Sequence, residues 1–145
     1  MGQGAQLFTE AADLLGVINP SSSSGIQDSG NVLLENYHKA VVIIHVGAIA
    51  TNGTVDADLE QASNTAAGTR KAITGKSITQ LTDADDNKVV VIELDSSELD
   101  VDNGFEYINL ELTCATAASI IGAQIWGLSP RFAAEANAAI EEVVN

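Results

Sequence analysis

The residue types able to do chemistry are few here, and their spacing argues against most of the reactions they suggest. His38 and His45 are the only histidines. Seven positions apart on or beside one strand, they face opposite sides of it and cannot close on a metal ion together. Hydrolysis by a Ser-His-Asp arrangement needs a nucleophile held on a sharp turn, and the chain has no Gly-x-Ser-x-Gly segment to hold one. Gly75-Lys76-Ser77 matches the end of a phosphate-binding loop, but Arg70 stands where that loop needs its first glycine. Carboxylate pairs for glycoside hydrolysis can always be drawn among 20 Asp and Glu, so their abundance carries no positional information. Two acidic runs, Asp83, Asp85, Asp86 and Asn87, then Asp95, Glu98, Asp100 and Asp102, offer the oxygen ligands that calcium takes. The first has Lys88 where an EF-hand loop has glycine. In the second, the register set by Gly104 puts Leu99 and Val101 on ligand positions, so both runs read as solvated turns. No catalytic residue, metal site or cofactor is expected, and the chain does not read as an enzyme.

Composition narrows the partners. Twenty acids against 6 Lys and Arg give a formal net charge of -14. That surface repels nucleic acid and anionic lipid, so neither is expected to bind. Aromatics are confined to Phe8, Tyr37, Phe105, Tyr107, Trp126 and Phe132, too few for the stacking platforms that sugars and single strands use. Trp126 reads as core or interface. Cys114 is the single cysteine, which excludes an internal disulfide. Met1 to Glu10 lacks a basic segment followed by an apolar run, and the longest apolar stretch, Ala40 to Ala50, is far shorter than the roughly 20 residues of a membrane helix. A soluble chain made in a cytoplasm is expected.

These side chains must be carried by β-structure. At 145 residues the chain has the size of one domain. Residues 1–36, with the run Asn19-Pro20-Ser21-Ser22-Ser23-Ser24-Gly25, read as an N-terminal arm; residues 37–132 as the β domain; and 133–145, rich in alanine, as a C-terminal tail or short helix. Val41 to Ala50 is predicted as a strand, Asn52-Gly53 as a two-residue hairpin turn with positive φ at both positions, and Thr54 to Ala62 as the returning strand. On that strand Val55, Ala57 and Leu59 alternate with Asp56, Asp58 and Glu60, one face dry and one wet. Ser63 to Gly75 reads as a loop. Further strands are predicted at Ser77 to Leu81, Lys88 to Leu94, Phe105 to Cys114 and Ser119 to Leu128, the last ended by Ser129-Pro130. The expected fold class is an all-β antiparallel sandwich, the jelly roll being one form open to it.

Val41-Val42-Ile43-Ile44, Val89-Val90-Val91-Ile92 and Ile120-Ile121 are apolar on both strand faces, so the second face needs a cover. The sandwich's other sheet, the arm, the tail or another subunit are candidates, and a homo-oligomer is expected. Leu7, Phe8, Leu14, Leu15 and Ile18 form the arm's apolar patch and need a surface to lie on. Arg70, Lys71 and Lys76 hold half the basic charge within one loop, suited to carboxylates across an interface. These eight residues are the candidate partner-binding set.

The order of Val41 to Ala50, Asn52-Gly53, Gly75-Lys76-Ser77-Ile78-Thr79-Gln80-Leu81, Gly104-Phe105-Glu106-Tyr107-Ile108-Asn109-Leu110 and Gly127-Leu128-Ser129-Pro130-Arg131-Phe132 resembles the head decoration (cement, capsid-stabilising) proteins of tailed bacteriophages over roughly Val41 to Phe132. The resemblance implies a small β-sandwich that trimerises at local threefold positions on the outer surface of an icosahedral head, fastens neighbouring major capsid proteins together, and is assembled in the host cytoplasm. It implies no catalytic residues. Another β-sandwich virion component, of tail or neck, is the alternative, followed by a glycan-binding module and then a hydrolase. In this reading the arm is dispensable for folding, so that removing residues 1–30 abolishes head binding alone.

Overall fold

Alternation of apolar and polar residues writes two layers into the chain, and a computed structural model, which describes residues 6–132 and 139–144, shows how they close. A four-residue helix, α1 (Phe8–Ala11), precedes ten strands: β1 (Ala12–Ser23), β2 (Ile26–Asp28), β3 (Val32–Leu33), β4 (Tyr37–Ile49), β5 (Thr54–Ala62), β6 (Lys71–Ser77), β7 (Leu81–Thr82), β8 (Lys88–Asp95), β9 (Tyr107–Ala115) and β10 (Ser119–Pro130). The first sheet has the order β1-β10-β4-β8 and the second β2-β9-β5-β6, with β3 also paired to β9 and β7 to β5. Every pairing is antiparallel. When β2 with β3, and β6 with β7, count as interrupted single strands, eight strands wind between two sheets in the order of a jelly roll. The expected all-β antiparallel sandwich is the fold.

Between the sheets lie the inward residues of each alternation: Val42, Ile44 and Val46 from β4, Val55 and Leu59 from β5, Ile108, Leu110 and Leu112 from β9, and Ile121 and Ile125 from β10. Removing such a side chain from water stabilises the fold by about 1.5–3 kcal/mol. Ile18 and Leu34 belong to the same cluster. That corrects the reading of residues 1–36 as an arm, because β1 pairs with β10 from Ala12↔Leu128 to Ser23↔Ser119. Its serines and Pro20 are tolerated because β1 is an edge strand, broken in register between Leu14 and Gly16 and again between Ile18 and Ser21. The buried Asp13 carboxylate accepts a 2.5 Å hydrogen bond from Tyr37 Oη, which ties β1 to the start of β4.

Three local expectations also change. Asn52-Gly53 does not close a hairpin, since β4 and β5 lie in different sheets. The turn runs from Ala50 to Gly53, whose N–H donates to Ala50 O at 2.7 Å, and only Asn52 has positive φ, 64°. A Cβ on Gly53 would stand 2.8 Å from that carbonyl oxygen, which is why glycine serves this corner between sheets. The stretch read as a loop from Ser63 to Gly75 contains most of β6, and β10 continues through Pro130, which still pairs with Tyr37. The alanine-rich segment read as tail or helix falls largely at 133–138, outside the described residues; 139–144 contain neither helix nor strand. No described helix is long and apolar enough to cross a membrane.

Candidate functional site

Of the carboxylates that suggested calcium, Asp83, Asp85, Asp86, Asp95 and Glu98 accept from main-chain donors. Asp83 accepts from Asn52 N at 2.8 Å, Asp86 from Ile49 N at 2.6 Å, and Asp95 from Ser97 N at 3.0 Å. The Ser97 N–H, followed by its hydroxyl, holds the Asp95 carboxyl below the usual range. The Asp95 N–H, then Lys76, does the same for Glu98. Among the described residues, no three His, Cys, Asp or Glu converge as metal ligands. Burial pushes the Cys114 thiol up, which makes it a poor nucleophile. A cleft of about 500 Å³ is lined by Leu34, Ser96, Leu99, Glu106 and Arg131 among others, and neither histidine nor cysteine reaches it.

The basic cluster is engaged within the chain. Arg70 donates from Nε to Asn31 Oδ1 at 2.6 Å and from Nη2 to Asp28 Oδ1 at 3.1 Å, and the guanidinium holds the Asp28 carboxyl below its ordinary value. Lys71 Nζ lies 2.5 Å from Asp100 and 3.9 Å from the centroid of the Phe105 ring, and it is the main cause of a lowered Asp100 carboxyl. Lys76 bonds Glu98 at 3.1 Å and the carbonyl of Glu93 at 2.8 Å.

Cross-strand register assigns the outward faces, because directly paired residues point the same way. On the second sheet the outward set includes Asp28, Glu111, Asp56, Asp58 and Glu60. Burial, then the neighbouring Glu60, Asp58 and Asp28 charges, pushes the Glu111 carboxyl up. The loop after β5 folds across toward β3, where Asn31 donates to Asn64 O and Ala66 O at 2.7 and 3.1 Å. That contact delivers Arg70 to Asp28.

On the first sheet, rows of paired outward residues read Leu14, Trp126, Val41, Glu93; then Val17, Gln124, Ile43, Val91; then Gly122, His45, Val89. Glu93 and its neighbour in phase, Asp95, sit at one end of β8, and among the described residues the other paired positions of the face carry no carboxylate. Phe8 of α1 lies edge-on to Trp126 with centroids 4.8 Å apart, covering one corner. Val89 and Val91 remain 56% and 51% exposed, and a groove of about 270 Å³ crosses the face past Val17, Pro20, Ile43 and His45.

The eight candidate residues therefore separate. Leu7 and Phe8, the latter 58% exposed, and half-buried Leu14 border the apolar face. Leu15 packs against the core, and Ile18, 6% exposed, lies inside it and is closed to any partner of the folded chain. Arg70 and Lys71 sit on or beside β6 in the other sheet, apart from the apolar set, whereas Lys76 of β6 reaches across to the carbonyl of Glu93 at the β8 edge of the first sheet. Val41, Ile43, Val89, Val91 and Ile120 were missing from that set, although two-sided apolar runs already marked them in the sequence. No protein-family model matches the chain, and neither does any curated protein. Two solved structures to which its fold is similar are particles of cowpea mosaic virus: an empty virus-like particle, with a TM-score of 0.49 and 10% identity over 99% of this chain and 91% of that one, and a naturally occurring empty top component, with 0.46 and 11% over 99% and 97%.

Proposed function

We propose that this chain is a structural virion protein that decorates and stabilises an icosahedral phage head, binding the major capsid protein as a homotrimer on the outer capsid surface of a particle assembled in the host cytoplasm. The observation that carries the reading is the outer face of the first sheet. A chain of net charge -14 keeps one broad face apolar and almost free of carboxylates, and a contiguous exposed patch of this kind marks a protein contact. Leu7, Phe8 and Leu14 extend the contact at the Trp126 corner. Arg70, Lys71 and Lys76 join it only by exchanging their own Asp28, Asp100 and Glu98 for carboxylates of the capsid. The acidic face of the second sheet turns to solvent. A glycan module would need an open aromatic platform, and Phe8 closes Trp126.

Cosedimentation with heads of the encoding virus that lack the protein tests this. The wild-type chain is expected to pellet with heads at three copies per local threefold position, and Ile43→Lys, which places a charge in the middle of the face, to stay in the supernatant while keeping its circular dichroism. Wild-type protein left in the supernatant, or Ile43→Lys pelleting like wild type, would overturn the proposal.

A further inference from the structure

The sandwich has four lateral edges, and three are unfit to receive another strand. β1 carries Pro20 and two breaks in register. β2 and β3 are three and two residues long, β7 is two, and the pairing of β6 with β5 breaks between Asp58 and Glu60. Strand β8 differs. It pairs with β4 over eight consecutive residues, from Lys39↔Asp95 to Val46↔Lys88, without a bulge, and holds neither proline nor glycine. The carbonyl of Glu93 accepts from Lys76, and the N–H of Asp95 donates to Glu98 at 2.9 Å. Odd-numbered residues of β8 therefore turn their main-chain groups away from β4, because donors and acceptors alternate sides along an antiparallel strand. The N–H and C=O of Val89 and Val91 stand on the free edge. A long, regular, apolar edge is a template for another strand.

We propose that β8 pairs antiparallel with β8 of a second copy of this chain across a twofold axis, with Val89 of each opposite Val91 of the other. Such pairing is isologous and makes one eight-stranded sheet from two of four. A second β8 fits because Lys88-Val89-Val90-Val91 is self-complementary. In this register Val90 meets its own copy on the axis, and β-branched side chains face one another on both sides of the sheet. Charge favours the same place. Lys39, Lys76 and Lys88, half of the chain's 6 basic residues, flank this edge, and Lys39 and Lys76 already pair with Asp95 and Glu98. Two chains of charge -14 meet there at less Coulombic cost than through their acidic faces, and added salt screens the remaining repulsion. Edge pairing leaves the apolar face open, so this inference goes beyond the virion proposal and does not depend on it.

The test is the solution mass by light scattering on a sizing column, from low to high protein concentration and without capsids. An even number of copies is expected, whatever other symmetry the assembly has, and association should tighten as salt rises. Val91→Pro removes an N–H that faces away from β4, so the β4–β8 ladder survives while the twofold species is lost at concentrations where wild type is fully associated. Val91→Lys should do the same, and it is read alone should the proline variant not fold. Val90→Cys should form an intermolecular disulfide under oxidation, since directly opposed non-hydrogen-bonded residues lie about 4.5 Å apart at Cα, within the reach of a disulfide. A monomeric or odd-numbered wild type, unchanged mass in the folded variants, or no disulfide from Val90→Cys overturns the proposal.

Discussion

Across the first sheet one outward row reads Leu14, Trp126, Val41, Glu93; across the second the matching row reads Asp28, Glu111, Asp58, Ser77. Both rows obey the same pairing rule and share the same core, yet one holds a single carboxylate at its far end and the other three in succession. The difference teaches that a net charge of -14 describes neither face: acidity is concentrated on one sheet and in the turns, while the outward rows of the other sheet are mostly apolar. The faces are also closed differently. α1 lays Phe8 over Trp126 by dispersion and ring geometry, whereas the loop after β5 holds Arg70 against Asp28 by charge.

Removing residues 1–30 is the harshest way to break this contrast, because it deletes β1 from the apolar sheet and β2 from the acidic one. The expected outcome is loss of cooperative thermal unfolding by circular dichroism, since Ile18 leaves the core, β10 becomes an unpaired edge and β9 keeps only the two-residue β3 on that side. Removing only residues 1–11 keeps every strand and uncovers the ring, so that protein should unfold cooperatively with a red-shifted Trp126 emission. A cooperative transition in the longer deletion would restore the arm reading. Tyr37→Phe comes next. It takes one donor from the buried Asp13 carboxylate, and a hydrogen bond to a charged group contributes about 1.5–3 kcal/mol. Denaturant unfolding should show that loss with an unchanged slope, and a wild-type midpoint would mean that β1 is held without this bond. Phe8→Ala should cost less, about 0.5–1.5 kcal/mol for the edge-on pair, with Trp126 fluorescence reporting the uncovered ring.

How much of this was legible follows from where pairing energy came from local pattern. β5 and β9 alternate so cleanly that their inward residues can be read directly from the chain, and β8 was placed within one residue. The Ala50 to Gly53 corner looks like a hairpin in the sequence because its residues favour a tight turn in either setting. Which sheet receives β5 is decided by β9, some fifty residues further on. β1 was hidden for the opposite reason: Pro20 and the serine run are poor strand formers, and only β10 beneath them makes the strand worthwhile. The apolar face was legible as two-sided strands, but its boundaries were not, since the α1 cover over Trp126 depends on a contact between residues 8 and 126.

The acidic face offers the smallest and most specific test. Burial and the carboxylates of Glu60, Asp58 and Asp28 raise the folded Glu111 carboxyl above its ordinary value of 4.5. Between 4.5 and that raised value the folded chain binds more protons than the unfolded one, so stability from this group falls as pH rises through the window, and the full deficit is present above it. Asp28 has the opposite sign. Arg70 lowers it below 3.8, so its contribution is present above 3.8 and lost only as pH falls through the lowered value. Above 4.5 the two groups are therefore separable, and Glu111→Gln should unfold at higher denaturant than wild type near neutral pH, with a gap that narrows as pH falls through the raised value toward 4.5. The corresponding probe of the first sheet, Val17→Gln, removes no charge and should shift stability equally at every pH. Parallel pH curves for wild type and Glu111→Gln would mean that Arg70 and solvent already neutralise the crowding, and the two faces would then differ in what they can bind but not in what they cost the fold.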